Sequence, residues 1–378
     1  MSSDHLSSIF ADPHYPGMAS RIQHIITLSA ASFLGLALVS SAYAQTGTPQ
    51  GPDFEPAIER AESFETIETL LIAVDGETLV AEGFSGHSPD RPENIKSASK
   101  SIISALVGIA IEKGILEGPD QPIAPLLEDK LPTNPDPRIF DITIGNLLSM
   151  QAGLERTSGG NYGEWIASRD WVKNALSRPF ETDPGGRMLY STGSTHLLSA
   201  ILTRESGRST LDLANDWLGP AGVQITSWER DPQGIYLGGN QMAMTPRSLL
   251  AFGELYRNEG LTADGEQVIP QGWIETSWTA RTTSRWHDGR YGYGWFIDDF
   301  GGEEVAYGWG YGGQMIYVVP ELDLTVAITS DETRPSGGSG YVRDLHRLLG
   351  EEIIPAVRER ASGSEEVERV EEAEEPIL

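Results

Sequence analysis

Ile102, Ile103, Ala105, Leu106, Val107, Ile109, Ala110 and Ile111 form a stretch that, wound as a helix, is apolar on nearly every face. Such a helix has no solvent side, so the rest of the fold has to wrap around it. A serine and a lysine three residues apart, Ser97 and Lys100, stand at its beginning. Positions i and i+3 share one face of a helix. If the start of the buried helix faces a cleft, the hydroxyl and the amine meet there.

That meeting matters chemically. A serine hydroxyl is a weak nucleophile until a neighbouring base takes its proton, and a lysine serves only when its pKa is lowered. Burial disfavours the ammonium. The unpaired N–H groups of a helix start also favour a neutral amine and a nearby oxyanion. The chain has only five lysines, and Lys100 alone has a serine at that offset. Taken by itself the pair also fits a plainer reading, an N-cap serine followed by a solvated first-turn lysine.

With 378 residues, 39% hydrophobic and 22% charged, the chain is globular, with room for one large or two medium domains. Its net charge of −28 repels nucleic-acid backbones and anionic membrane surfaces, so neither is an expected partner. Cysteine is absent, which removes disulfides, thiol nucleophiles and thiolate metal sites together. His87, His196, His287 and His346 are scattered without a metal-ligand spacing, so no metal or cofactor is expected.

Near the N-terminus an apolar run, 25–39, is preceded by Arg21 and followed by Ala42-Tyr43-Ala44, the small-x-small pattern of a cleavage site. Residues 1–44 read as a signal peptide, with Met18 as an alternative start, and a periplasmic or secreted location follows. The run is short for a membrane span, so no stable anchor is expected after leader removal. Residues 45–57 read as a linker and 361–378 as an acidic disordered tail.

Between these ends, 66–74 and 77–84 flank Asp75-Gly76, a two-residue hairpin turn. Helical periods interrupted by Gly and Pro fill 115–265, including 144–150, 197–204 and 247–257. Short strands follow at 291–297, 305–311, 315–319 and 324–329. Strands early and late with helices between predict an α+β fold. Its antiparallel sheet, built from 58–114 and 266–360, is flanked by helices and interrupted by a helix-rich inserted domain, 115–265. The cleft should lie where the two parts meet.

Three elements in this order, Ser97-x-x-Lys100, Tyr190-Ser191-Thr192 and Gly308-Trp309-Gly310, resemble those of the serine β-lactamase-like superfamily. The likeness is to its class C and esterase branch. Further stretches, 142–154, 231–240 with 245–247, and 318–326, resemble its 6-aminohexanoate-dimer hydrolase-like and esterase-like members. The resemblance implies the β-lactamase-like fold and a covalent acyl-enzyme. It implies Ser97 as nucleophile, Lys100 as base, Tyr190 as proton relay, and the backbone amides of Ser97 and Tyr311 as oxyanion donors. Thr192, Asn240, Gly308, Trp309, Gly310 and Gly312 become candidate substrate contacts.

Chemistry supports the same assignment. A phenol beside a lysine ammonium is expected to have a lowered pKa and to pass a proton to the leaving group. Glycines 308, 310, 312 and 313 would let the backbone approach a substrate closely. Trp295, Trp309 and Tyr311 are candidates for an apolar pocket, against the plainer alternative that strand aromatics are core. The second element has Thr192 where the branch has Asn, and the third has Gly308 where it has a cation for a substrate carboxylate. An exported serine hydrolase acting on a small ester or amide is therefore expected. The alternatives are a D-Ala carboxypeptidase or weak β-lactamase, and a non-turnover penicillin-binding-type sensor. An α/β-hydrolase is disfavoured because no Gly-x-Ser-x-Gly elbow occurs.

Overall fold

The computed structural model describes residues 51–284, 289–334 and 340–359. The expected leader, the expected acidic tail and His287 lie outside the described residues.

Helix α1 (Glu55–Glu62) leads into strands β1 (Ile67–Val74) and β2 (Glu77–Gly83). Their turn residues, Asp75 at φ +51 and Gly76 at φ +80, are both left-handed, as the tight hairpin turn requires. A short β3 (Glu93–Asn94) precedes helix α2 (Ser99–Glu112), followed by α3 (Ile144–Leu148), α4 (Tyr162–Ile166) and α5 (Trp171–Leu176). Next come α6 (Thr192–Ser206), α7 (Thr210–Trp217), β4 (Ile225–Trp228), β5 (Met242–Met244), α8 (Pro246–Arg257) and α9 (Gln271–Trp278). The chain then returns as β6 (Thr282–Thr283), β7 (Arg290–Tyr291), β8 (Phe296–Phe300), β9 (Glu303–Gly310), β10 (Gln314–Val319) and β11 (Leu324–Ser330), before α10 (Tyr341–Arg347).

The main sheet has the order β2-β1-β11-β10-β9-β8-β7-β6, and its paired strands are antiparallel. The early hairpin thus joins the late strands through β1 and β11. Period-two alternation sends neighbouring side chains to opposite faces. Leu71, Ala73, Ile316, Val318 and Ala327 pack towards α2 and the helical part, while Leu70, Ile72, Met315, Tyr317, Val326 and Ile328 pack against α1 and the C-terminal helices. Both faces are covered, so the fold is α+β with helices on either side of one sheet.

Helix α2 is the central element, as its composition demands. Every residue from Ser99 to Ala110 is buried. Its neighbours include α6, α7, α9 and β9.

Three sequence boundaries move. The expected linker 45–57 runs into α1, where Phe54 and Ala57 are buried, so its last residues belong to the fold. The strand expected over 291–297 is two strands, because Gly292 to Trp295 form a turn with Gly294 at φ +79. Helix α8 lies inside the range read as the helical insert, yet it packs on β1, β10 and β11. Its apolar stripe supplies a layer of the sheet core.

Candidate active site

Ser97 is not in the α-helix itself. It lies in one turn of 3₁₀ helix, Lys96–Ala98, that runs directly into α2. In that tighter winding residues i and i+3 come close to eclipsing one another. The Nζ of Lys100 accordingly lies 2.9 Å from the Ser97 hydroxyl. The turn is entered through Lys96 at φ +49, a conformation that costs a non-glycine residue about 1–3 kcal/mol. Lys96 is held there on three sides. Its N–H donates to Asn94 Oδ1 at 3.0 Å, and its Nζ donates to Gln241 Oε1 at 2.9 Å and pairs with Glu332 at 2.6 Å.

Lys100 is 1% exposed, while Ser97 is only half-buried and remains reachable. Nζ also donates to the Gly239 carbonyl at 2.6 Å and to Thr192 Oγ1 at 3.3 Å. Among the described residues no carboxylate pairs with it. Burial alone therefore sets its acidity, bringing the pKa down to about 7. A neutral amine has two N–H donors and one lone pair. With the Gly239 carbonyl and Thr192 taking the donors, the lone pair is left for Ser97.

Tyr190 completes the group. Lys100 Nζ lies 5.0 Å from the centre of its ring, and the Ser97 side chain is near enough to its phenol to act on that group's acidity. The ring is stacked on Phe296 at 6.1 Å with Tyr291 edge-on at 6.3 Å. One expectation is overturned here. Burial pushes the phenol pKa up, and the nearby Ser97 side chain offsets only part of that. The lysine presents its charge to the ring, and is itself half neutral near pH 7, so Tyr190 remains a protonated phenol.

Strand β9 closes the other side. A Cβ on Gly310 would fall 2.3 Å from the Ile95 carbonyl oxygen and 3.1 Å from Lys96 Cβ, and one on Gly308 would fall 2.9 Å from Ser101 Oγ. These glycines let the strand press against the serine turn, rather than opening it to substrate. Tyr311, the next residue, is 50% exposed. Gly312, at φ +91, belongs to the turn between β9 and β10, where a Cβ would meet the Asp331 carbonyl at 2.9 Å.

Residues 69–351 match the family model described as Beta-lactamase. The chain belongs to the β-lactamase family. As a member of it the protein is a serine hydrolase. A curated relative, the 6-aminohexanoate-dimer hydrolase of Paenarthrobacter ureafaciens, is 26% identical over 330 residues, 79% of this chain and 81% of the relative. Among solved structures, the octameric penicillin-binding protein homologue from Pyrococcus abyssi aligns with a TM-score of 0.61 at 19% identity, covering 79% of this chain and 75% of that one. EstCE1, a hydrolase with promiscuous acyltransferase activity, aligns with a TM-score of 0.62 at 17% identity, covering 79% and 96%. These structural likenesses are likenesses of fold.

Within this β-lactamase-family frame the remaining sequence candidates divide. Thr192, expected to contact substrate, turns its hydroxyl inward to Lys100 and to Ser158 Oγ at 3.0 Å. Asn240 donates from Nδ2 to the Tyr162 hydroxyl at 2.9 Å, and burial raises that phenol to about 12. Trp309 is half-buried, 6.0 Å from Phe296. Trp295 is not a pocket residue. It is fully buried between Phe252, Tyr256 and Trp278, so the plainer core reading holds there.

Sequence reasoning missed Ser158, Tyr162 and Gly239. Gly239 acts through its carbonyl, which every residue type has, and Ser158 and Tyr162 lie in a stretch without a motif. One cluster outside the site brings together Glu68, His87 and Glu93, with ligand atoms within 4.8 Å of one another. Arg91 already supplies its positive charge, contacting His87 Nδ1 at 2.6 Å and donating to Glu93 at 2.9 Å.

Proposed function

We propose that the protein is an exported hydrolase that cleaves a small carboxylic ester or simple amide through an acyl-enzyme on Ser97. The observation that carries this reading is a buried lysine, its pKa lowered by desolvation, 2.9 Å from a reachable serine. The neutral Lys100 amine takes the Ser97 proton as Oγ attacks the carbonyl carbon. The negative charge that develops on the carbonyl oxygen is received by the N–H groups of Ser97 and Tyr311. Support for Tyr311 is its position directly after Gly310, which is pressed against the serine turn. Preorganised backbone donors of this kind contribute roughly 10²–10³ in rate.

As the tetrahedral intermediate collapses, the Tyr190 phenol gives its proton to the departing oxygen or nitrogen and recovers one from the Lys100 ammonium. A raised phenol pKa does not obstruct this, because an expelled alkoxide or amide nitrogen is far more basic than a phenolate. Water then releases the acid from Ser97.

The substrate class follows from β9. Gly308 carries no cation for a substrate carboxylate, and its space is closed by Ser101 Oγ and Ile316 Cγ2 at 2.9 and 3.0 Å from any Cβ. Neutral acyl groups fit better than substrates anchored by a carboxylate. Export rests on the leader pattern at 25–44.

Fluorophosphonate labelling with peptide mapping should modify Ser97, and Ser97→Ala should lower turnover of p-nitrophenyl esters by roughly 10³-fold or more. Labelling elsewhere, or undiminished turnover in Ser97→Ala, would refute the reading. Mature protein recovered outside the cytoplasm should begin after Ala44, and retention of Met1 would refute export.

A further inference from the structure

The carbonyl that holds Lys100 belongs to a residue with little freedom. Gly239 has φ +80, and a Cβ there would lie 2.4 Å from Thr195 Oγ1 and 2.6 Å from Lys100 Cγ. A Cβ on Gly238 would lie 2.1 Å from the Thr195 carbonyl oxygen. The 236–239 segment is therefore pressed flat on α6.

Side chains along one side of α6 bind its backbone in succession. Ser199 Oγ donates to the Tyr236 carbonyl at 2.7 Å, and Thr195 Oγ1 donates to the Gly238 carbonyl at 2.9 Å. The Gly238 N–H donates to His196 Nδ1 at 3.4 Å. Since Nδ1 is an acceptor, the ring proton of a neutral imidazole is on Nε2, which lies 3.1 Å from Asp231 Oδ2. Both side chains are fully buried. The other oxygen of Asp231 accepts from the N–H groups of Gln233 and Ile235, each at 2.8 Å. Trp165 and Trp171 confine the imidazole, with ring centres 5.7 and 5.6 Å away. The two ends of the 231–239 loop are thus tied to α6, whose first residue, Thr192, is itself a partner of Lys100.

We infer that Thr195, His196 and Asp231 are positioning residues, which hold the Gly239 carbonyl on Lys100 and so keep the amine turned with its lone pair available to Ser97. This rests on the Ser97–Lys100 reading proposed above. A carbonyl only accepts, so while it stays in place one N–H of the amine is committed to it. If the loop lifts, Nζ can rotate and water can enter beside it. Both changes impair the base without touching Ser97.

The test is the rate of fluorophosphonate labelling of Ser97 as a function of pH, which needs no knowledge of the natural substrate. Wild-type labelling should rise through about pH 7 as Lys100 loses its proton. Thr195→Val keeps the shape but loses the hydroxyl, while Thr195→Ser keeps the hydroxyl. Asp231→Asn removes the charge behind His196 by an independent route. Folding of each variant is read by near-ultraviolet circular dichroism and thermal midpoint.

Thr195→Val and Asp231→Asn should each label about tenfold or more slowly, with the acid limb moved upward as water reaches the amine. Thr195→Ser should behave as the wild type. Wild-type rates and limbs in both impaired variants would overturn the inference. So would slowing that only tracks the loss of folded protein while the limb stays in place, since that is a purely structural role. Failure of the wild type to label at Ser97 is a different result. It removes the Ser–Lys reading, and this inference with it.

Discussion

The Nζ of Lys100 and the carbonyl oxygen of Gly239 lie 2.6 Å apart, joining positions separated by 139 residues. A lysine in this position is solvated by protein dipoles in place of water, and among the described residues no carboxylate pairs with it to hold its proton. Its acidity near 7 is a consequence of that choice of neighbours.

The first consequence is a pH profile. The reactive form of Lys100 is the neutral amine, so kcat/KM should rise with pH along a limb with an apparent pKa of about 7. Initial rates on a neutral ester between pH 5 and 9 measure it. A limb in the carboxylate range would show that a different group is the base.

A second consequence concerns stability. The folded pKa of Lys100 is depressed below its ordinary 10.5, so between about 7 and 10.5 the unfolded chain binds more protons. Stability from this group therefore increases as pH rises through that window and is flat below it. Lys100→Met removes the titration. Urea unfolding should show the variant gaining most over wild type at or below pH 7, with the difference shrinking towards pH 10 by a few kcal/mol. A pH-independent difference would contradict a buried, titrating amine.

Tyr190→Phe separates the two halves of the proposed proton path. Leaving groups that need no protonation, such as p-nitrophenolate, should be nearly indifferent to the loss of the phenol. Alkyl esters and amides should lose roughly 10²–10⁴ in kcat. Equal losses on both classes would assign Tyr190 a role in packing or in Ser97 activation.

The β9 glycines offer a steric test. Gly310→Ala drives a methyl to 2.3 Å from the Ile95 carbonyl, against 2.9 Å from Ser101 Oγ for Gly308→Ala. The first contact is with backbone and the second with a side chain that can rotate. Gly310→Ala should therefore cost more stability, about 1–3 kcal/mol, and more activity as the strand is forced off the serine turn. Gly308→Lys should lose ester activity and gain no β-lactamase action. Thermal unfolding with ester and nitrocefin assays reads both.

Much of this site is legible in the chain because its chemistry depends on local spacing. Ser97 and Lys100 are three residues apart, and one turn brings them together whatever else the protein does. The hairpin turn at Asp75-Gly76 and the alternation in β9, β10 and β11 are equally local. Tyr190 stands out through its place in an ordered set of motifs, and the centre of its ring lies 5.0 Å from Lys100 Nζ. Its acidity was misjudged because the direction of a phenol pKa depends on how much water remains around it and on which part of the ring meets the amine. For Trp295 the sequence leaves pocket and core both open, and the core reading holds, because composition does not say which side of a segment is covered. Thr192 is a substrate candidate through the resemblance alone, whereas its hydroxyl meets Lys100 and Ser158 in the fold.

The sequence alone determined the buried helix, the pairing of nucleophile and amine at its start, and the strands that had to form one sheet, because each follows from periodicity or short spacing. Only the tertiary structure decided what surrounds the amine. The Gly239 carbonyl, the hydroxyl network of Thr192 and Ser158, and the closed space beside Gly308 come from segments far apart in the chain. The basicity of Lys100 is set by that three-dimensional surrounding through desolvation, and the direction of its lone pair by where its hydrogen bonds end.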